Sequence, residues 1–322
     1  MTEERELLRD TVAALVAKHA NPAAVRAAME SDRGYDESLW QLLCEQVGAA
    51  ALVIPEELGG AGGELADAAT VLQELGRALV PSPLLGTTLA ELTLLAAPEP
   101  DAETLERLAT GSSIGALVLD PDYVVNGDIA DVVVAAVALP DGPGGRLSRW
   151  IRFGVQPVAT MDPTRRLARV RPEEAVDLGA DPGIADTAAI LLAAEQIGAA
   201  ERCLELTVEY AKSRVQFGRP IGSFQALKHR MADLYVAVSA ARAIVADACD
   251  DPTPANAMTA RLAATETLSI VAAEGIQLHG GIAITWEHDM HLYFKRAHGS
   301  AQLLDSPRAL LRRLEAEVLQ TP

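Results

Sequence analysis

Apolar side chains recur at intervals of three and four residues along most of the chain, which is the spacing of one face of an α-helix. In the first part of the chain this spacing is interrupted by a Pro- and Gly-rich turn at residues 55–62. The helices predicted there cover residues 3–30, residues 39–47, and a longer segment through Leu65, Ala69, Leu72 and Leu75.

The periodicity changes between residue 114 and about residue 177, where short runs rich in β-branched residues alternate with turn residues. This change predicts a small β domain, with residues 115–130 forming a compact hairpin. The predicted strands are residues 116–119, 123–125, 131–139 and 150–155, and the predicted turns are Asn126-Gly127 and Gly142-Pro143-Gly144-Gly145.

From Ala188 to the end the spacing is helical again. Long helices with short connections are expected to pack as a bundle. The predicted helices include Ile190 to Ala211, Phe224 to Val238, Ala255 to Leu278 and Leu303 to Leu319. The predicted fold class is therefore mainly α with a small β middle domain, divided into a helical domain (1–112), a β domain (113–180) and a four-helix bundle (181–322).

Composition supports a helical protein and excludes some partners. Hydrophobic residues make up 49% of the 322 residues but aromatic residues only 4%, which favours close helix packing. The formal net charge of −18 would repel a phosphate backbone, so nucleic acid is not an expected partner.

Three widely spaced cysteines, Cys44, Cys203 and Cys249, stand in apolar helical segments. We interpret them as core thiols rather than as a disulfide or metal framework. The acidic start of the chain has no signal-peptide core, and we find no run of about 18 apolar residues. We therefore expect a cytoplasmic protein with no membrane span.

Two segments carry the residues expected of a dinucleotide site. Arg214 stands at the predicted end of a helix, and Gly218 would let the chain turn so that the guanidinium could reach a phosphate. Further on, Gly280 and Gly281 follow Gln277 and would allow a ligand to approach the backbone closely.

These two segments, together with the turn at residues 55–62 and the segment 161–170, resemble the acyl-CoA dehydrogenase family over nearly the whole chain. The resemblance implies FAD bound across a subunit interface, an acyl-CoA substrate and an electron-transfer flavoprotein as acceptor. The residues that it assigns to FAD are Arg214, Gln216, Phe217, Gln277, Gly280, Gly281 and Gln302.

The α,β-desaturation that this family performs needs a base for the α proton and a flavin to accept the β hydride. In most members a glutamate precedes a Gly-Thr/Ser-x-Gln tetrad, which is matched here by residues 299–302, so that His298 occupies the glutamate position. A minority of members place the base on the helix before the arginine motif, where this chain has Ala188 or Ala189. The chain therefore resembles the short, base-lacking subunit of α2β2 heterotetramers, whose partner brings the glutamate.

Two alternatives remain open from the sequence. The chain could be a self-sufficient homo-oligomeric dehydrogenase that uses His298, Glu195 or Glu287 as its base. It could instead be a flavin-free structural subunit. Short-chain, branched, steroid-derived and polyketide acyl groups are all compatible with the sequence, and His229, His279, His288 and His291 do not have the spacing of a metal site.

Overall fold

The computed structural model describes residues 2–138 and 145–320, which contain eleven α-helices and seven strands. The helices are α1 (Glu3–His19), α2 (Pro22–Glu30), α3 (Glu37–Leu42), α4 (Leu65–Arg77), α5 (Leu84–Leu95), α6 (Ala102–Ala109), α7 (Ile184–Ser213), α8 (Gln225–Asp250), α9 (Pro254–His279), α10 (Met290–Gln302) and α11 (Pro307–Gln320). The strands are β1 (Gly115–Val118), β2 (Val124–Val125), β3 (Val132–Ala138), β4 (Gly145–Val158), β5 (Leu167–Ala180), β6 (Val215–Gln216) and β7 (Arg219–Pro220).

The predicted fold class is confirmed: helical regions lie on both sides of a small middle sheet. One helix prediction was too long, because residues 3–30 form α1 and α2 rather than a single helix. The side chain of Asn21 accepts a hydrogen bond from Ala24 N, and Pro22 occupies the first turn of α2. An Asn cap followed by Pro is a strong start signal, so a new helix begins there.

The middle sheet has the strand order β1-β3-β4-β5-β2. The predicted hairpin at residues 115–130 was wrong, because β1 pairs in parallel with β3 whereas β2 pairs antiparallel with β5. Both strands are buried along their whole length, a pattern of strands covered on both faces rather than of a surface hairpin. The predicted turn at Gly142-Pro143-Gly144 and the predicted strand end at Leu139 lie outside the described residues.

Helices α4 and α7 cross in direct backbone contact. A Cβ on Gly76 would overlap the carbonyl oxygen of Glu195, and a Cβ on Gly198 would overlap that of Gln73. Glycine is the only residue that allows this approach, so a reciprocal pair of glycines fixes the N-terminal helices to the bundle.

The bundle is built from α7, α8 and α9, and α10 and α11 pack on α9. Helix α10 was not predicted, and the last helix begins at Pro307 rather than at residue 303. By length and composition alone the segment Pro254–Ile284 could cross a membrane, but α9 within it is the central helix of the bundle, and buried core helices meet the same criterion.

The three cysteines are free. Cys44 and Cys203 are buried, as expected, and Cys249 is half-buried. Burial raises the pKa of Cys44 to about 12, so this thiol is not a nucleophile at neutral pH.

Candidate functional site

The first predicted segment forms a two-residue hairpin at the end of α7. Arg214 ends the helix, and strands β6 and β7 pair across the turn at Phe217 and Gly218. Both turn residues have positive φ angles, 51° and 73°, as tight hairpin turns of the type I′ class require. Positive φ is unfavourable for phenylalanine, and the Phe217 side chain is 91% exposed, so this conformation holds an aromatic ring out into solvent.

Packing behind the hairpin fixes its direction. The guanidinium of Arg219 lies 4.0 Å from the ring centroid of Phe224, a cation–π contact. Gly222 lies so close to α7 that a Cβ there would be 2.9 Å from the carbonyl oxygen of Ala211. Phe224 therefore packs against the hairpin.

The second predicted segment is the end of α9. Gly280 has φ +68°, a backbone conformation that L-residues rarely adopt, and Gly281 follows it in a 3₁₀ turn. Gln277, Gly280 and Gly281 are all exposed, and a Cβ added to either glycine would meet nothing within 4 Å. The backbone is therefore open to a ligand at this turn.

A ring stack brings the two segments together. Tyr210, one helical turn before Arg214, stacks on His279 with a centroid distance of 4.4 Å. We define the grip surface as Arg214, Gln216, Phe217, Gln277, Gly280 and Gly281. Among the described residues the Arg214 side chain has no hydrogen-bond or ion-pair partner, so the surface offers a free guanidinium, exposed amides and open backbone. This donor set fits the pyrophosphate and adenosine of a dinucleotide.

Gln302, the seventh predicted cofactor residue, lies elsewhere. It lines a cleft of about 590 Å³ between the middle sheet and the bundle, which none of the grip-surface residues lines. We define the sheet–bundle cleft by Leu117, Ala136, Asp186, Asp305 and Arg313. The residues predicted to bind FAD therefore lie in two separate places, the grip surface and, for Gln302, this cleft.

The sheet–bundle cleft is acidic. Among the described residues, four aspartates line it, Asp120, Asp181, Asp186 and Asp305, and the one lining cation is Arg313. Arg313 is already paired: its guanidinium lies 2.7 Å from the Asp186 carboxylate and 3.7 Å from that of Asp305. The cleft is large enough for a ligand, but it offers little to an anionic one.

The loop after α10 is strained where it faces this cleft. Leu304 has φ 62° and Asp305 φ 151°, two successive non-glycine residues with positive φ. Backbone strain of this kind is concentrated at functional sites. Asp305 was not predicted from the sequence, because neither its spacing nor its neighbours match the Gly-Thr/Ser-x-Gln tetrad that follows His298.

A buried ion network joins the middle domain to α7 and α10. The Glu195 carboxylate bonds Arg165 through one oxygen and Arg296 through the other, at 2.6 Å for Arg296, and Arg296 also lies 2.7 Å from Asp162. Burial alone would raise the pKa of Glu195, but the two guanidiniums outweigh it and lower the pKa. Both oxygens are occupied, so Glu195 is poorly placed to accept a substrate proton.

The other base candidates are not in the cleft either. His298 lies within α10, is exposed, and contacts the ring of Phe294 at 4.4 Å. Glu287 is exposed in the loop before α10. Ala188 and Ala189 are buried in α7 and have no titratable group.

No group of three or more metal-ligating side chains occurs among residues 2–138 and 145–320. His279, His288 and His291 cluster instead as stacked and edge-on rings around Tyr210 and Trp286.

Comparison with known proteins supplies the family. Residues 2–112 match the acyl-CoA dehydrogenase N-terminal domain and residues 183–303 the acyl-CoA dehydrogenase C-terminal domain. The chain is 81% identical to "Acyl-CoA dehydrogenase IpdE2" of Mycobacterium tuberculosis, with 99% of each chain covered.

The chain is also similar to a solved Tcur3481–Tcur3483 steroid ACAD variant (TM-score 0.88, 27% identity, 99% of this chain and 98% of that one). A chain of the ChsE4–ChsE5 complex from Mycobacterium tuberculosis has the same TM-score with 26% identity, covering 100% of this chain and 99% of that one. The chain belongs to the acyl-CoA dehydrogenase family.

Proposed function

We propose that this chain is the non-catalytic, FAD-binding subunit of a heteromeric acyl-CoA dehydrogenase. In this proposal the grip surface holds the pyrophosphate and adenosine of an FAD that is seated mainly on a partner subunit. The partner also supplies the base. One FAD is then bound for each pair of unlike chains.

The observation that carries this proposal is the contrast between the two candidate sites. Within the part of the chain that the structure describes, the grip surface is exposed and carries an unpaired guanidinium, whereas the sheet–bundle cleft is lined by four aspartates and one arginine that is already ion-paired. A dinucleotide pyrophosphate carries negative charge, so it would favour the first environment and be repelled by the second.

The placement of the candidate bases also supports a partner that supplies the base. When bound, FAD supplies a hydride acceptor for α,β-desaturation. Of the candidate bases named from this chain, Glu195 is held by two arginines, and His298 and Glu287 lie outside the cleft. The residues of this chain would therefore orient the cofactor, and the α proton would pass to the partner's base.

Relatives support the heteromer and suggest the substrate class. The similar solved chains come from a ChsE4–ChsE5 complex and a Tcur3481–Tcur3483 steroid ACAD. We propose by analogy that the acyl group is steroid-derived and that the electrons leave to an electron-transfer flavoprotein.

The test is flavin content. The chain should be purified alone and, separately, co-expressed with a glutamate-bearing acyl-CoA dehydrogenase chain, and bound flavin should be counted from its visible absorption. We expect little flavin on the chain alone and about one per unlike pair in the complex. Full flavin on the chain alone would overturn the heteromeric proposal, and a flavin-containing complex that is unaffected by Arg214→Ala would point to a purely structural subunit.

A second candidate function, a self-sufficient dehydrogenase, is favoured by one observation. Asp305 places a carboxylate in the sheet–bundle cleft from a strained backbone. If the chain alone binds flavin and its flavin is bleached by an acyl-CoA, Asp305→Asn should abolish the bleaching while His298→Gln leaves it intact. Absence of flavin from the chain alone excludes this candidate.

A further inference from the structure

We propose that His279 and His288 form a proton-sensitive latch that positions the Gly280–Gly281 turn, so that acidification loosens the grip surface. The inference rests on the proposed function for its consequence, the release of FAD. It does not rest on that function for the latch itself, which is a property of this chain alone.

The first half of the latch is the end of α9. His279 is 4% exposed, and its Nδ1 lies 2.7 Å from the carbonyl oxygen of Gly275. A carbonyl can only accept a hydrogen bond, so Nδ1 carries the proton and Nε2 is an unprotonated nitrogen. This Nε2 is buried without a hydrogen-bond partner among the described residues. The next residue along the chain is Gly280, so the ring is anchored directly beside the turn.

The second half is the start of α10. The Nδ1 of His288 accepts a hydrogen bond of 3.1 Å from the backbone N–H of Met290, the first residue of that helix. Protonation of Nδ1 would turn this acceptor into a donor and break the bond. It would also place a positive charge at a helix N-terminus, where the helix dipole opposes it.

The two rings touch, so the halves are coupled. The centroids of His279 and His288 lie 4.6 Å apart, and Tyr210 contacts both rings, at 4.4 Å from His279 and 6.4 Å from His288. A proton on either ring places a cation against the other ring. The segment between them, residues 280–287, includes the Gly280–Gly281 turn, so it is held at both ends by neutral imidazoles.

The charged groups around the pair act in both directions. From α2, Arg26 approaches His288 and donates to its carbonyl oxygen, and it also pairs with Asp289 at 2.5 Å. Asp289 favours a proton on His288 and Arg26 opposes it, and burial outweighs both, so the pKa of His288 is lowered. Two residues of α10 lie near the pair, because His291 and Lys295 both contact the ring of Trp286, at 4.6 Å and 4.7 Å.

The protonation equilibria agree with this geometry. Burial lowers the pKa of His279 and of His288, and the facing imidazole lowers the pKa of His279 further. Both rings are therefore neutral in the folded chain at pH 7.5. Because each pKa is below its unfolded value of about 6.5, the unfolded segment binds protons first as the pH falls. The contribution of the two neutral rings to the stability of the segment is fully present above about pH 6.5, and it is lost as the pH falls through the folded-state pKa values.

Hydrogen exchange of the chain alone tests the latch. We would measure backbone amide protection of residues 280–290 at pH 7.5 and pH 5.0, corrected for the intrinsic exchange rate. Each unit by which folding lowers a histidine pKa should cost about tenfold in protection once both rings are protonated. We expect protection of this segment to fall by about tenfold or more at pH 5.0, while that of α4 changes little.

Variants isolate the two rings. In His288→Asn the amide oxygen can still accept from Met290 N, and in His279→Asn the amide can still donate to Gly275 O, but neither side chain titrates. The double variant should keep its protection at pH 5.0, and His19→Gln, which changes a histidine outside the cluster, should behave as the wild type. Acid sensitivity that persists in the double variant would overturn the proposal.

A titration of the unmodified chain covers the case in which the variants fold poorly. Proton NMR of the histidine rings should give midpoints below about 6.5 for His279 and His288, together with the loss of protection. Titration midpoints of about 6.5 for both rings, together with unchanged amide protection, would overturn the proposal. Flavin retention by the co-expressed complex at the two pH values then tests the consequence. If no partner yields a flavin-containing complex, the proposed function fails, while the exchange result still decides the latch.

Discussion

Tyr210 stacks on His279 with ring centroids 4.4 Å apart and an interplanar angle of 25°. Tyr210 belongs to α7 and His279 to α9, so this one contact holds the helix end that carries Arg214 beside the helix end that precedes Gly280. The donors and the open backbone of the grip surface are therefore set relative to each other by a contact that a ligand need not touch.

Loss of this stack should weaken flavin binding without removing a donor. Aromatic pairs contribute about 0.5–1.5 kcal/mol beyond the area that they bury. In the complex with a glutamate-bearing partner, Tyr210→Ala should weaken FAD retention by about two- to tenfold, measured by equilibrium dialysis, whereas Tyr210→Phe keeps the ring and should retain wild-type affinity. Equal losses in both variants would assign the effect to the hydroxyl.

Arg214 should account for a larger part of the affinity. A hydrogen bond to a charged group contributes about 1.5–3 kcal/mol, so Arg214→Gln should weaken FAD binding by the complex about ten- to a hundredfold. Its thermal midpoint as a free chain should not change, because Arg214 has no partner within the described chain. Arg308→Gln, a change at an exposed arginine of α11, is the matched control and should leave FAD affinity as it is.

Gly281 allows a test that separates binding from folding. A Cβ there meets nothing within 4 Å, so Gly281→Val should fold with an unchanged thermal midpoint, yet its side chain would occupy the space through which a dinucleotide approaches. We expect flavin to be absent from the co-expressed complex. Gly154→Val on β4, where a Cβ would make only an ordinary contact of 3.8 Å with the Glu173 carboxylate, should leave the flavin in place. A fully flavinated Gly281→Val complex would remove this turn from the site.

Glu195 should matter for stability rather than for proton transfer. Glu195→Gln leaves Arg165 and Arg296 buried with an uncompensated charge, and breaking a buried pair costs about 3–5 kcal/mol. Urea titration at pH 7.5 should register this loss in the free energy of unfolding. Because the folded-state pKa of Glu195 is lowered, its contribution is present above the unfolded value of about 4.3 and is lost as the pH falls below it. An unchanged urea midpoint would contradict the network.

Glu91 should lower the free energy of unfolding as the pH rises, whereas Glu195 raises it. Both of its carboxylate oxygens are buried in α5 without a partner among the described residues, and burial raises its pKa well above the usual value. The unfolded chain therefore loses this proton first as the pH rises, so the side chain costs stability progressively above about pH 4.3. Glu91→Leu should raise the free energy of unfolding at pH 8 by about 1–3 kcal/mol, with a smaller gain at pH 5. An equal gain at both values would show that Glu91 does not titrate in this range.

The periodic apolar residues were sufficient to predict most of the fold. Helices α7 and α9 were predicted because their buried faces are long and apolar. Helix α10 was missed because its buried face includes Arg296 and Ser300, so the network with Glu195 conceals the hydrophobic period. Partners for Arg296 come from residues 162, 164 and 195, which no local pattern connects.

The site was predictable to a similar extent. The grip-surface residues could be named because they stand in two short local motifs, although their role in FAD binding stays a prediction. The sheet–bundle cleft could not, because it forms where β1, β3, α7 and the loop after α10 meet, and only tertiary packing brings Asp305 and Asp186 to one arginine. The π-stacked histidines were assigned no role for the same reason, since Tyr210 is distant from them in the sequence.

The glycine crossing of α4 and α7 has a consequence for how such a chain can respond to a partner or a cofactor. With Gly76 against Glu195 and Gly198 against Gln73, the two helices are packed backbone to backbone at two points, which leaves little space for one helix to shift along the other. We therefore expect α4 to stay fixed on the bundle rather than to swing over it as a lid. Any adjustment on assembly has to come from short elements at the periphery, the Phe217 hairpin and the turn at Gly280, while the body of the subunit docks as a preformed block.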